Sequence, residues 1–381
     1  MNARRKLVIA MTALLAAPLA RTGHELPVYP SYYPHEIEIT TFEPPEAGTL
    51  LVSGQLHAYI DGSPRFEKPT PSAIGSVPSL GSFVVLRINP HSPLAGDEAS
   101  ACAVVDTIVR AVKTSGGDFV VHPYPVTPFH GDYLHHADLA KAATARLVDG
   151  AVALEPAGPT PKVRAEGELA QRIVRPEWQE KGADWDAVVL EVDARRLVSS
   201  ATTGINGWTG PRWVRSGWFH AYRLLAPSIP PELREPVVTD AGRLETGDVT
   251  EPAERANLER ALVRRLTAGC RAAVVGYSVR REYFNVGFST GVENIAYDSL
   301  EGLSSPMFMR TVKLKDFPWN GWLKLGTATP PKAAWNPVGG FNDEFGRLVW
   351  FAVGDQAIIP SPYDHGWVLN RISEVQGTPL R

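Results

Sequence analysis

The stretch from residue 83 to residue 148 constrains the fold more than any other part of the chain. Residues 83–88 (FVVLRI) form a short β-branched run that reads as a buried strand. Residues 99–115 then set Cys102, Val105, Val109 and Val112 on one helical face, and Gly116-Gly117 terminates the helix. Residues 119–122 (FVVH) read as a second strand. Residues 133–148 (YLHHADLAKAATARLV) are alanine-rich and read as a second helix with Asp132 as N-cap. Strand, helix, strand, helix in that order asks for a sheet covered by helices, with parallel neighbours expected. A strand at 187–192 extends this pattern. So do a helix over 253–268 capped by Gly269 and a strand over 272–279. The fold expected is α/β: a mixed sheet with flanking helices. From Tyr283 onward, short strand-like runs at 283–288, 307–314, 322–325 and 348–353 predict an aromatic-rich, mainly β C-terminal part.

The chain divides by composition. Residues 1–20 read as an export signal. Arg4, Arg5 and Lys6 precede an uncharged apolar run, LVIAMTALLAAPLA, which is shorter than the ~20 residues of a membrane-spanning helix. The arginine pair faintly suggests a twin-arginine route. Residues 21–48 form an extended Pro/Tyr-rich arm, and residues 49–225 an α/β region. Residues 226–254 form a Pro- and acid-rich connection, and residues 255–381 pass from α/β to β-rich. No later stretch is long and apolar enough to span a membrane, so the mature chain is expected to be soluble and periplasmic or secreted.

With the three signal-segment cations gone, 35 basic side chains face 41 acidic ones. That balance argues against nucleic acid as a partner. Two cysteines, Cys102 and Cys270, are open to a disulfide in an exported chain. Their apolar settings equally suit free thiols packed as small hydrophobes.

Four of the ten histidines fall in HPYPVTPFHGDYLHH, residues 122–136. Imidazole and carboxylate suit a transition metal such as zinc, copper or iron. The candidate ligands are His122, His130, His135, His136 and Asp138. His135 and Asp138 share a helical face, and the most economical set is His130, His135 and Asp138. The alternative is a Pro-rich loop whose imidazoles cap a helix and bond the backbone. A second cluster (His24, Tyr29, Tyr32, Tyr33 and His35) lies in the arm.

Three further patterns carry chemistry. Trp208, Trp213 and Trp218 could wall a small-molecule pocket, and Trp319 and Trp322 flank an Asn-Gly turn. Gly287-Phe-Ser-Thr-Gly291 matches G-x-S-x-G, which would make Ser289 a nucleophile, His365 its base and Asp343 or Asp355 the orienting acid. Asp343 and Glu344 beside the aromatics touch on glycosidase chemistry without supplying an opposed pair. No phosphate-binding or dinucleotide-binding glycine loop is present. The functional expectation is an exported protein binding a small molecule or a transition-metal ion at a His- and Trp-lined site. The alternatives are a serine hydrolase at Ser289 and a metal-dependent hydrolase at the histidine cluster.

Overall fold

A computed structural model describes residues 34–67, 69–112, 117–146, 160–199, 203–205, 208–249, 251–316, 321–330, 343–354 and 356–374. The signal segment, most of the arm with its His24 and tyrosines, Trp319 and Asp355 lie outside the described residues.

The sheet is built from β1 (Glu36–Thr41), β2 (Ala58–Ile60), β3 (Ile74–Ile88), β4 (Phe119–Val121), β5 (Val163–Glu166), β6 (Ala187–Asp193), β7 (Ala272–Asn285) and β8 (Trp322–Thr327). Its order is β1-β8-β2-β7-β3-β6-β5, with β4 also pairing β7. The pairs β1/β8, β8/β2 and β5/β6 are parallel. The pairs β2/β7, β7/β3, β3/β6 and β4/β7 are antiparallel. The chain is therefore mixed α/β, with helices flanking a central mixed sheet.

The unbroken apolar run at 83–88 follows from burial on both faces of this sheet. Successive side chains of a strand point to opposite sides. Phe83 and Val85 accordingly enter one core with Trp218, Leu224, Leu262 and Leu266. Val84 and Leu86 enter another with Val105, Ile108, Val109 and Trp178. Five helices matter for the site: α1 (Glu98–Val112), α2 (Ala137–Thr144), α3 (Gly217–Leu225), α4 (Pro231–Thr246) and α5 (Pro252–Leu266). Cys102 of α1 is bonded to Cys270, which lies just before β7.

Several sequence expectations change. The strands of the 83–148 region pair antiparallel, because long β7 comes from far along the chain and runs between β3 and β4. The helix expected from Tyr133 starts as a 3₁₀ turn, Tyr133–His136, and becomes α-helical at Ala137. Residues 50–52 end a helix, Pro44–Val52. The strand expected at 83–88 begins earlier, with residues 74–82 opening β3.

The Pro-rich connection holds α4. Pro230 and Pro231 sit at its start, where a missing N–H costs nothing. Val237, Ala241 and Leu244 are buried beneath it, so its apolar stripe outweighs Pro236 inside. The expected strand at 348–353 is the end of a helix, Glu344–Val353. Residues 306–311 are likewise helical, capped by Ser305.

A candidate metal-binding site beside the histidine loop

Residues 122–136 run from the end of β4 to the start of α2 and are largely buried. Each imidazole has a distinct environment. His122 Nε2 lies 3.0 Å from the Val126 carbonyl, to which it donates, and burial lowers its pKa. His130 Nδ1 accepts the Thr127 N–H at 2.9 Å. Its Nε2 therefore carries the proton and donates to His220 Nδ1, also at 2.9 Å. Burial pushes the His130 pKa down to about 3, so the ring is neutral and neither nitrogen is free. His135 is exposed. Asp138 is held in a two-pronged pair by Arg260, each N···O distance being 2.7 Å, which keeps its carboxyl well below the usual range. His130, His135 and Asp138 thus face three different surroundings.

His136 is different. It is fully buried. Its Nδ1 lies 2.9 Å from the Tyr124 hydroxyl, and its Nε2 has no hydrogen-bond partner. Burial lowers its pKa to about 4, against the opposing charge of Asp132, so the ring is neutral at pH 7. One ligating atom each from Asp132, His136 and Glu259 lies within 4.8 Å of the others, and all three residues are buried. Among the described residues this is the one such cluster of metal-ligating side chains.

Local structure brings each ligand in. Asp132 does not cap its own helix. Its carboxylate instead accepts the Gly217 and Trp218 N–H groups, at 2.9 and 3.3 Å, at the start of α3. Glu259 projects from the buried stripe of α5, which comprises Glu259, Leu262, Val263 and Leu266. Arg255, one turn earlier, donates Nε to its carboxylate at 3.0 Å. Burial, and then the charge of Asp132, push the Glu259 carboxyl up to about 7 despite Arg255. Two carboxylates and a neutral imidazole form an N/O donor set suited to zinc, iron or manganese. Tyr124 would receive the Nδ1 proton and fix the ring, the outer-shell arrangement common behind metal-bound histidines.

The other candidates separate. Trp218 is fully buried and packs against Trp213, with ring centroids 5.7 Å apart. The Trp208 side chain lies outside the described residues. Ser289 lines a cleft whose one lining histidine is His57. His365 is not among the residues lining this cleft, and partial loss of hydration lowers its pKa.

No helix leaves Ser289. A turn leads into a short strand, Val292–Glu293, paired with Lys313–Leu314. The two glycines of the G-x-S-x-G match serve that turn, since a Cβ at Gly291 would lie 2.3 Å from the Gly287 carbonyl oxygen. Asp343 caps the helix Glu344–Val353 by accepting the Gly346 N–H.

Sequence reading missed Glu259 and the role of Asp132. The signal for Glu259 was a carboxylate at the i, i+3, i+4, i+7 spacing of the apolar stripe. Asp132 gave none, because its partners at 217–218 are remote in sequence.

No protein-family model matches the sequence, and no curated protein does. Several solved structures overlap it in part. HbpA2 from Haemophilus parasuis is 13% identical, with 71% of this chain and 56% of that one covered and a TM-score of 0.41. A nickel ABC transporter structure from Bacillus halodurans gives 14%, 67%, 58% and 0.36. The oligopeptide-binding protein AppA of Bacillus subtilis, in complex with a nonapeptide, gives 13%, 71%, 58% and 0.35. The chain thus spans little more than half the length of these proteins, and at that distance the overlap says nothing of what it binds.

Proposed function

We propose that the chain is an exported binding protein that holds a divalent transition-metal ion, zinc in the first instance, at Asp132, His136 and Glu259. The observation that carries this reading is the convergence of the three buried ligating atoms within 4.8 Å. They come from a loop, the turn before α2, and α5. Two buried acidic groups whose charges repel each other, with Arg255 paired to Glu259, are an unfavourable arrangement that a divalent cation would neutralise. Three protein ligands leave at least one coordination position open. Of the five metal candidates that the loop's sequence suggests, His136 alone enters this set. Trp218 contributes through its main-chain N–H to Asp132 rather than as a pocket wall. Export is supported by the apolar N-terminal segment and by the bridge between Cys102 and Cys270, which suits an oxidising compartment.

Plasma mass spectrometry on the mature chain, purified without chelators or a His-tag, tests this. The expected result is about one equivalent of zinc, iron or manganese. His136→Ala and Glu259→Gln should each abolish it, and exposed His135→Ala should leave it intact. A wild-type protein that stays metal-free after zinc reconstitution and dialysis would sink the reading, as would metal that both variants retain.

A further inference from the structure

A second cleft lies away from the buried carboxylates, where the turn 287–291 meets the start of β8. It measures about 370 Å³, in the range of small-ligand sites, and its walls include His57, Ser289, Thr290, Asp316 and Trp322. Trp322 is 58% exposed, so a broad apolar ring stands open to solvent. The cleft depends on Gly54, whose φ of +74° suits glycine. A Cβ there would lie 2.6 Å from Thr290 Oγ1.

The polar groups define what could bind. His57 Nδ1 accepts the Lys324 N–H at 2.8 Å. The neutral ring therefore carries its proton on Nε2 and presents a donor. Burial first, and then Lys324, lower its pKa to about 4, so it is neutral at pH 7. A ring in this tautomer cannot take a proton from Ser289, so the cleft is built to bind rather than to activate a serine. Ser289 and Thr290 offer hydroxyls, Asp316 an acceptor and Trp322 an indole N–H beside an apolar face. Asp316 is the one charged side chain in the lining, and its carboxylate can accept two hydroxyls at once. An aromatic platform ringed by mixed donors and acceptors, one of them a carboxylate, matches a neutral hydroxylated ring.

We infer that this cleft binds a neutral saccharide, with the sugar ring stacked on Trp322 and its hydroxyls bonded by His57, Ser289, Thr290 and Asp316.

The test is isothermal titration of the mature chain with maltotriose, cellotriose and chitotriose. At least one should bind with a Kd below roughly 1 mM. Trp322→Ala, at a site more than half exposed, should keep the circular dichroism of the parent and weaken binding roughly tenfold. Ser289→Tyr, which fills the cleft, should abolish it. His136→Ala should bind saccharide as the parent does, so failure at the metal site and failure here are told apart. The inference is overturned if no trisaccharide binds. It is equally overturned by affinity that Trp322→Ala and Ser289→Tyr leave unchanged, or by tetramethylammonium binding in the cleft in place of sugar.

Discussion

Asp298 shows how much one buried side chain can organise. It is 2% exposed, and its Oδ1 accepts Arg215 Nη2 at 2.6 Å and the Leu300 and Glu301 N–H groups at 2.8 and 2.9 Å. Arg215 is itself buried. Removing the carboxylate strands a cation out of reach of water, which typically costs about 3–5 kcal/mol. Asp298→Ala should therefore lower the urea unfolding free energy by about that amount, and Asp298→Asn by less, because the amide oxygen still accepts the two N–H groups. Equal losses for both variants would mean that the charge accounts for the whole effect and the two N–H bonds for none of it, and no loss in either would mean that the carboxylate does not hold Arg215. At this scale little of the candidate site was legible. The four histidines of the loop were visible as a composition, but their roles depend on partners elsewhere. His130 is fixed by His220, Asp138 by Arg260 and Asp132 by residues 217–218. Only long-range contact distinguishes His136, with its free buried nitrogen, from exposed His135 one residue earlier.

Elements were more legible, where a periodic pattern is a local property of the chain. The helices α1 and α5 and the strands β4 and β6 fall where their spacing puts them. The failures have common causes. Prolines at the start of α4 give its stretch the composition of a connection, although a helix tolerates them there. The short apolar runs at 307–314 and 348–353 do not distinguish strand from buried helix. Whether the cysteines meet depended on packing that sequence spacing does not reveal. The bond between Cys102 and Cys270 ties α1 to the start of β7 and closes a separation of 168 residues. A Cys102→Ala/Cys270→Ala double variant should keep the fold and lose about 2–5 kcal/mol of stability. Urea unfolding with and without reductant checks this: reductant should lower the midpoint of the parent and leave the variant unmoved. A reductant-insensitive parent would show that the bridge is absent or contributes nothing.

At the scale of the whole molecule, the sheet buries its imidazoles in the uncharged form, and this sets how stability depends on pH. His57, His122 and His220 all have pKa values lowered chiefly by burial, that of His57 to about 4. Once unfolded, each returns to about 6.5. Between those values the unfolded chain binds protons that the folded chain refuses. Their contribution to stability is therefore complete above about pH 6.5 and is lost as pH falls toward the folded pKa. Buried Glu282 works in the opposite sense. Its raised pKa lets the folded state hold a proton that the unfolded state has released, so it offsets one histidine over the range just above the usual carboxylate value. Glu259, raised to about 7, acts with Glu282, while His130, His136 and His365, their pKa values likewise lowered, act with the other three imidazoles, so six groups stand against two and leave a net loss. The unfolding free energy of the metal-free chain should fall as pH drops from 7 to 5, with each fully buried imidazole adding a slope of up to about 1.4 kcal/mol per pH unit. His57→Asn keeps an acceptor for the Lys324 N–H but cannot titrate. It should flatten the slope by at most one proton, measured as the difference in urea unfolding curves taken at half-unit pH steps. A parent whose stability is level or rises across that interval would mean that the histidines are hydrated in the native state, and the buried neutral network would have to be abandoned.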